Sequence, residues 1–344
     1  MPLRIEDFYA YILPGHAADA RAGLDQARTA EKLGLGGVLL SERWETKELG
    51  SVIGALTQVT DRVDLVAGLT HFGTRHPLVL AGMGATMQKL SGGRFTLGFG
   101  RGVPGQFRKL GIPVLNNAGM ADMIGILRQL WAGETVSYSG PAGEFPEMQL
   151  AHACENPPPI IMGAVGPKTL ALAGAHCDGL LLHPFLTYEG VARSVDIVHK
   201  AAREAGRDPS SVKVMATVVT APDYLPEEIR QGVLEARAVS YFMHRELALP
   251  ILKTNQWDEA PMERVVATGL ASLDYGPSDI ADMKRRMAEA AAMLPPEWLS
   301  EGAATGDVDN CLARLEGYLD AGASGIVLHG IPLDQLDPLL APLR

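Results

Sequence analysis

The sequence predicts a closed (β/α)8, or TIM, barrel formed as one domain over residues 1–344, and three observations carry that prediction. A short pattern recurs three times: a helix ending at Gly, a tight turn, a second Gly and an apolar triplet. It is read at Gly34 to Gly37 before Val38-Leu39-Leu40, at Gly174 to Gly179 before Leu180-Leu181-Leu182, and at Gly322 to Gly325 before Ile326-Val327-Leu328. The first Gly suits a left-handed helix cap and the triplet suits a strand buried on both faces. The stretch from Val63 to Gly105 spells one complete strand, helix and strand. Finally, eight buried strand segments alternate with helical ones, which a closed parallel barrel accommodates.

In order, the first strand is expected near Phe8 to Leu13, followed by a helix from Ala18 to Leu33 and the second strand at Val38 to Leu40. The third runs from Asp64 to Leu69. Pro77 then opens a helix at its favoured first position, Leu80, Met83, Met87 and Leu90 give it an apolar face, and Gly92 and Gly93 close it. Phe95 to Phe99, Ile160 to Gly163, Leu180 to Leu182, Val212 to Thr220 and Ile326 to Leu328 supply strands four to eight, with a last helix at Asp307 to Ala321. Two insertions interrupt the repeat. Residues 132–158, with alternating Thr135 to Tyr138 and several Gly and Pro, read as a hairpin loop. Residues 222–306, after strand seven, carry helical stretches at Glu227 to Leu247 and Ser278 to Met293 and would overhang the barrel mouth.

Composition excludes several function classes. The net charge of −10, with scattered Lys and Arg, argues against a nucleic-acid surface, and no run of apolar residues is long enough to span a bilayer. No export-type apolar core is read near the amino terminus, so a cytoplasmic protein without membrane partners is expected. Three widely spaced cysteines fit neither a disulfide framework nor a zinc site.

In such a barrel, ligands gather where the strands end. Glu42 and Arg43, His71, Arg101, His183 and His329 follow strands two, three, four, six and eight, and so should ring one mouth. Glu42 and Arg43 also have the simpler option of pairing with each other. Between strand five and its helix, Gly163-Ala164-Val165-Gly166-Pro167-Lys168 combines small residues, a helix start and a cation, which suits a phosphate-bearing ligand. It is not a Walker loop, because Pro167 separates Gly166 from Lys168. Gly100-Arg101-Gly102-Val103-Pro104-Gly105 matches GxGxxG, and Asp122 follows at a suitable distance. The dinucleotide reading is rejected, since Gln106 to Asn117 contains Gly111 and Pro113 and lacks helical periodicity. A wide loop over a flat ligand is expected instead.

These motifs resemble the luciferase-like monooxygenase superfamily and, within it, the branch that uses the deazaflavin coenzyme F420. The resemblance rests on Arg75-His76-Pro77, on LSGGRFTLGFGRG from Leu90 to Gly102, on GPKTLALAGAHCDG from Gly166 to Gly179, and on the segment from Gly306 to Leu328. It implies a flavin or deazaflavin ring at the mouth, propped by a non-prolyl cis peptide at Ala67 and Gly68, followed by Thr70. It further implies that Gly100, Arg101, Gly102 and Val103 flank the ring, that Gly163 to Lys168 meet the cofactor phosphate, and that the protein is a homodimer. Members of the branch carry an Asp-His pair after strand two, where this chain has Ser41-Glu42-Arg43-Trp44. Glu42 takes the acid's place, whereas Arg43, with its very high pKa, is a poor general acid. His71 is the expected substitute for proton transfer, with Glu42 second.

The function expected from all this is hydride transfer between coenzyme F420 and a small organic substrate. An FMN-dependent monooxygenase is the alternative. A metal-dependent hydrolase using His71, His183, His329 and Glu42, or a non-catalytic cofactor-binding protein, are the readings from other classes. The hydrolase reading lacks the HxH that such barrels place on strand one, which here is Phe8-Tyr9-Ala10-Tyr11.

Overall fold

A computed structural model describes residues 2–15, 17, 19–272 and 280–344. Eight parallel strands close a barrel: β1 (Phe8–Tyr11), β2 (Gly37–Leu40), β3 (Asp64–Ala67), β4 (Phe95–Gly100), β5 (Ile160–Ala164), β6 (Gly179–Leu182), β7 (Lys213–Pro222) and β8 (Gly325–His329). Each pairs in parallel with the next, and β8 returns to β1 through Phe8 opposite Ile326. The expected barrel and its strand order are therefore found.

Alternation along these strands separates two cores. Leu39, Val66, Ile161, Met215 and Val327, with Tyr9, Tyr11 and Leu181, fill the barrel interior. The intervening residues, among them Val38, Leu40, Leu65, Ala67, Leu180 and Leu328, face the helical ring and join the larger outer core. Two residues further along several strands, the inward sequence turns polar: Ser41 follows Leu39, His183 follows Leu181, Thr217 follows Met215, and His329 follows Val327. That change marks the mouth.

Local details depart from the sequence reading in instructive ways. The third strand ends at Ala67, and a cis peptide joins Gly68 to Leu69, one residue beyond the expected Ala67-Gly68 pair. Pairing then resumes as Thr70 and His71 against Phe99 and Gly100. Gly34 and Gly322 take the left-handed conformation expected after a helix. Gly174 does not, because it lies inside the helix Pro167–His176, where a Cβ would collide with the Val198 carbonyl. It is a packing glycine. The first helix begins at Ala22, and Ala18 lies outside the described residues.

Of the insertions, 132–158 forms the expected antiparallel hairpin, Val136–Gly140 with Gly143–Met148. It folds back on the barrel through the Tyr138 hydroxyl, which donates to Asp122 at 2.6 Å. The second is more broken than periodicity suggested: helices at Glu227–Gln231 and Arg237–Phe242 flank a π-helical segment, Gly232–Ala236, and a new helix, Arg245–Asn255, starts after His244. Ser278 lies outside the described residues, and the later helix spans Ile280–Ala291. The insertion also ends in a strand, Ala303–Gly306, which extends the sheet beside the end of β7. No helix among the described residues is long and apolar enough to cross a membrane.

Candidate active site at the barrel mouth

Glu42 lies directly beyond β2, is buried, and accepts from the Leu49 N–H at 2.9 Å, the Thr70 hydroxyl at 2.9 Å and Arg75 Nη1 at 2.6 Å. The alternative of a pair with Arg43 is not found; Arg75 takes that place. Its geometry explains why: Arg75 leaves the third strand's extension just before the helix Pro77–Leu90, reaches back to Glu42, and also binds Thr70 and Glu48. Burial would raise the Glu48 carboxyl, but the Ser51 N–H and hydroxyl, Arg75 and the Gly50 N–H together bring it down to about 2. With three donors on Glu42, and with the Thr70 hydroxyl donating to Glu42 while accepting from Arg75, this polar clamp locks the ends of β2 and β3 together. Arg43 itself is exposed.

His71 faces a different environment. Its ring stands edge-on to Trp44 and Phe107, with centroids at 5.5 and 5.0 Å, and its Nδ1 lies 3.3 Å from the Gly100 carbonyl. A carbonyl only accepts, so that contact places the proton on Nδ1 and leaves Nε2 as a free lone pair. Burial lowers the imidazole pKa, only partly countered by the Gly100 bond and the Glu42 charge. His71 is therefore neutral at pH 7 and able to accept a proton. Glu42, Trp44, His71, Gly102, Val103, Gln106 and Phe107 enclose a small cavity of about 70 Å³.

The glycine loop corrects one expectation. Pro104 does open a helix, Pro104–Lys109, although it lasts only six residues before the turn at Gly111. Its Phe107 ring covers Gly102, where any Cβ would clash with it. A nucleotide-binding helix is thus still absent, and an aromatic cap replaces the expected open loop. With Phe107 in this position the cavity holds a few waters but not a three-ring heterocycle.

Apolar surface gathers on the other side of the mouth, around Leu69. Leu69, partly exposed, lies across Gly98, Gly100 and Gly163, and a Cβ at either Gly98 or Gly163 would collide with its side chain. Those glycines make a shallow apolar seat at the ends of β4 and β5. Beside it, Ala164 and Val165 lead to Gly166, which has open space around its Cα and caps the helix Pro167–His176 without a side-chain acceptor. Asn117 ties this helix start to the glycine loop: its carboxamide binds both the Arg101 guanidinium and the Lys168 carbonyl at 3.3 Å. The exposed Arg101 guanidinium is thereby tied to an uncapped helix start whose first turn carries the exposed Lys168, the residue types an anionic cofactor tail requires. Asn117 was not visible as a site residue from sequence; the Asn116-Asn117 pair preceding a helix reads only as a cap.

Across the mouth is a second cluster that sequence reasoning located only in part. His329 is buried; its Nε2 lies 2.9 Å from Arg237 Nη1 and 3.3 Å from the Tyr241 hydroxyl, and its ring stands edge-on to Tyr11 at 5.0 Å. His183 packs edge-on against Tyr241 at 4.7 Å, and burial pushes its pKa down to about 4. Arg237 and Tyr241 come from the long insertion. Gly330, with φ of +98°, admits them: a Cβ there would meet Val233 at 2.7 Å and Arg237 Nε at 3.4 Å. The histidines and Glu42 do not assemble as a metal site, since Arg237 holds His329 and Arg75 holds Glu42. Among the described residues, no group of three or more His, Cys, Asp or Glu could hold a metal ion.

A larger hollow, about 620 Å³, lies at the other end of the barrel, between Arg128, Trp131, Cys154, Asp178 and Arg207 near the start of β5. There Asp178 accepts from the Ile160 N–H at 2.8 Å and from Arg128 at 2.9 Å, so its polar groups are engaged in holding strands together. In barrels of this kind that face contributes stability.

Comparison with known proteins agrees with the fold. The chain is 27% identical over 308 residues to the 5,10-methylenetetrahydromethanopterin reductase of Methanolobus tindarius, covering 88% of this chain and 87% of that protein. It is 26% identical over 294 residues to the F420-dependent glucose-6-phosphate dehydrogenase of Amycolatopsis mediterranei, covering 82% and 77%. Its fold matches the coenzyme F420 dependent tetrahydromethanopterin reductase from Methanopyrus kandleri with a TM-score of 0.76 at 22% identity, over 94% of this chain and 93% of that one. The luciferase-like monooxygenase family model matches residues 9–325, and the chain belongs to that family.

Proposed function

We propose that this protein is an oxidoreductase that moves a hydride between coenzyme F420 and a small organic substrate at the barrel mouth. The observation that carries the reading is the pairing of a glycine-built apolar seat at Leu69, Gly98, Gly100 and Gly163 with the Arg101, Asn117 and Lys168 cluster beside it. An F420-dependent dehydrogenase among the relatives supports it. When bound, the deazaflavin would accept or supply a hydride at its ring. The chain's own residues do the rest. Gly163, Ala164, Val165, Gly166, Pro167 and Lys168, with Arg101, hold the phosphate end; Gly100, Gly102 and Val103 border the ring; Ala67, Gly68 and Leu69 lie beneath it.

His71 takes the proton. As a substrate C–H bond gives up its hydride, the adjoining O–H proton passes to Nε2, while the Gly100 carbonyl steadies the resulting imidazolium through Nδ1–H. In the reverse direction the same imidazolium returns the proton. Glu42 and Thr70 are positioning residues, fixed by Arg75 behind His71.

Incubating the protein with oxidised F420 and a panel of alcohols should bleach the deazaflavin absorbance without oxygen consumption. Turnover only with reduced FMN, accompanied by oxygen uptake, would overturn this reading in favour of the monooxygenase chemistry in the family's name.

A further inference from the structure

Hydrogen-bond inventory at the second cluster leads beyond hydride transfer. Arg237 has only donors, so its 2.9 Å contact makes His329 Nε2 the acceptor and puts the imidazole proton on Nδ1. That Nδ1–H has no partner, and neither has Arg237 Nε–H nor the Thr217 hydroxyl. Three of the four buried side-chain polar atoms left without a hydrogen bond among the described residues thus belong to this end of the barrel. The Tyr241 hydroxyl, 3.3 Å from the same Nε2, donates to an acceptor that Arg237 already occupies at the shorter distance. No carboxylate lies within ion-pairing distance of the half-buried Arg237 among the described residues, whereas the half-buried Arg75 has Glu42 and Glu48 facing it. The cluster is rich in donors, and its one imidazole acceptor is shared between two of them.

Such an arrangement is costly unless something negative enters it, because unpaired buried donors and an uncompensated guanidinium are both destabilising. The π-helical segment Gly232–Ala236 immediately precedes Arg237, a distortion often found at functional sites. Gly330 then lets that helix sit close enough for Arg237 to reach His329. We propose that Arg237, His329, Tyr241 and Thr217 form an anion-recognising subsite, and that the substrate carries a carboxylate, sulfonate or phosphate group which docks there. This inference rests on the proposed hydride transfer only for the word substrate; the anion site itself stands on the donor inventory.

Calorimetric titration of the full chain with acetate, methanesulfonate, inorganic phosphate and neutral acetamide tests it. At least one anion should bind saturably at one per chain, with acetamide silent. Arg237→Met should weaken that anion about tenfold or more, Tyr241→Phe severalfold, and Arg128→Gln, in the far hollow, not at all. Absence of saturable anion binding by the wild-type chain at roughly 100 mM, or equal binding by acetamide, overturns the proposal without reference to any variant. Repeating the titration on F420-saturated protein separates the two readings: retained anion binding supports a substrate subsite, and its loss shows that the cluster serves the cofactor instead. F420 binding is followed by absorbance in the same samples. Anion binding without F420 binding overturns the deazaflavin reading alone, and the converse overturns the subsite alone.

Discussion

Arg94 and Arg237 sit at opposite ends of the same barrel and are treated in opposite ways. Arg94, just before β4, gives four hydrogen bonds: Nε to Ser91 O, Nη1 to the Thr60 hydroxyl and Val63 O, and Nη2 to Thr60 O, at 2.5 to 3.1 Å. Arg237, beyond β8, gives one, to a neutral imidazole, and keeps Nε unpaired. The same side chain is a staple where every nitrogen has an acceptor and a waiting group where one has none. The difference separates the end of the barrel that holds the fold from the end proposed to do chemistry.

The sharpest test of that division is His71→Ala. Removing the proton acceptor should cut turnover by about 10²–10⁴-fold while leaving thermal stability near wild type. A comparable loss of stability would place His71 with the structural residues. The paired arginine substitutions come next. Arg94→Ala should cost about 3 kcal/mol in chemical denaturation, since it strands three backbone carbonyls and the Thr60 hydroxyl. Arg237→Ala should change stability by less than about 0.5 kcal/mol or raise it, because the charge it removes has no counterion. Equal destabilisation by the two would erase the comparison.

A pH series sharpens it further. His329 is lowered well below its ordinary value by burial and then by the Arg237 and His183 charges, and His183 falls to about 4. On lowering the pH through the ordinary histidine value near 6.5, the unfolded chain takes up protons that the folded chain refuses. Stability must therefore fall with falling pH. His183 is partly exposed to the mouth, so its share is discounted, and the two together should contribute a loss of about 2 kcal/mol by pH 5.5. Denaturant midpoints across that window would show it, and His329→Gln should remove more than half of the slope. A flat profile would mean that the mouth histidines titrate normally and are open to water. The smallest effect expected is from Phe107→Ala: with the aromatic cap removed, F420 should bind severalfold tighter, since less of the population has to open first. Unchanged or weaker binding would show that the ring lies elsewhere.

Much of this was legible in residue order. The Gly-turn-Gly-triplet repeat and alternating apolar strands define the barrel, because backbone chirality and burial on both faces leave few other solutions. Residues that follow each strand could be assigned to one mouth for the same reason. What was not legible is which side chains meet. Glu42 has Arg43 next to it in sequence, but its partner is Arg75, because the chain beyond β3 turns back over the end of β2. Arg237 and Tyr241 lie in a helical insertion whose orientation depends on a π segment and on Gly330, neither of which has a periodic signature. Phe107 was missed because a helix of six residues beside Gly111 and Pro113 carries too little pattern to be read.

The measurement that bears most directly on the whole account is titration of the purified chain with oxidised F420 and, separately, with FMN, followed by absorbance and fluorescence. The account predicts saturable F420 binding at one per chain, at least about tenfold tighter than FMN, and weakened by Arg101→Gln combined with Lys168→Met. FMN binding with no response to F420, or F420 binding indifferent to loss of both cations, would contradict it.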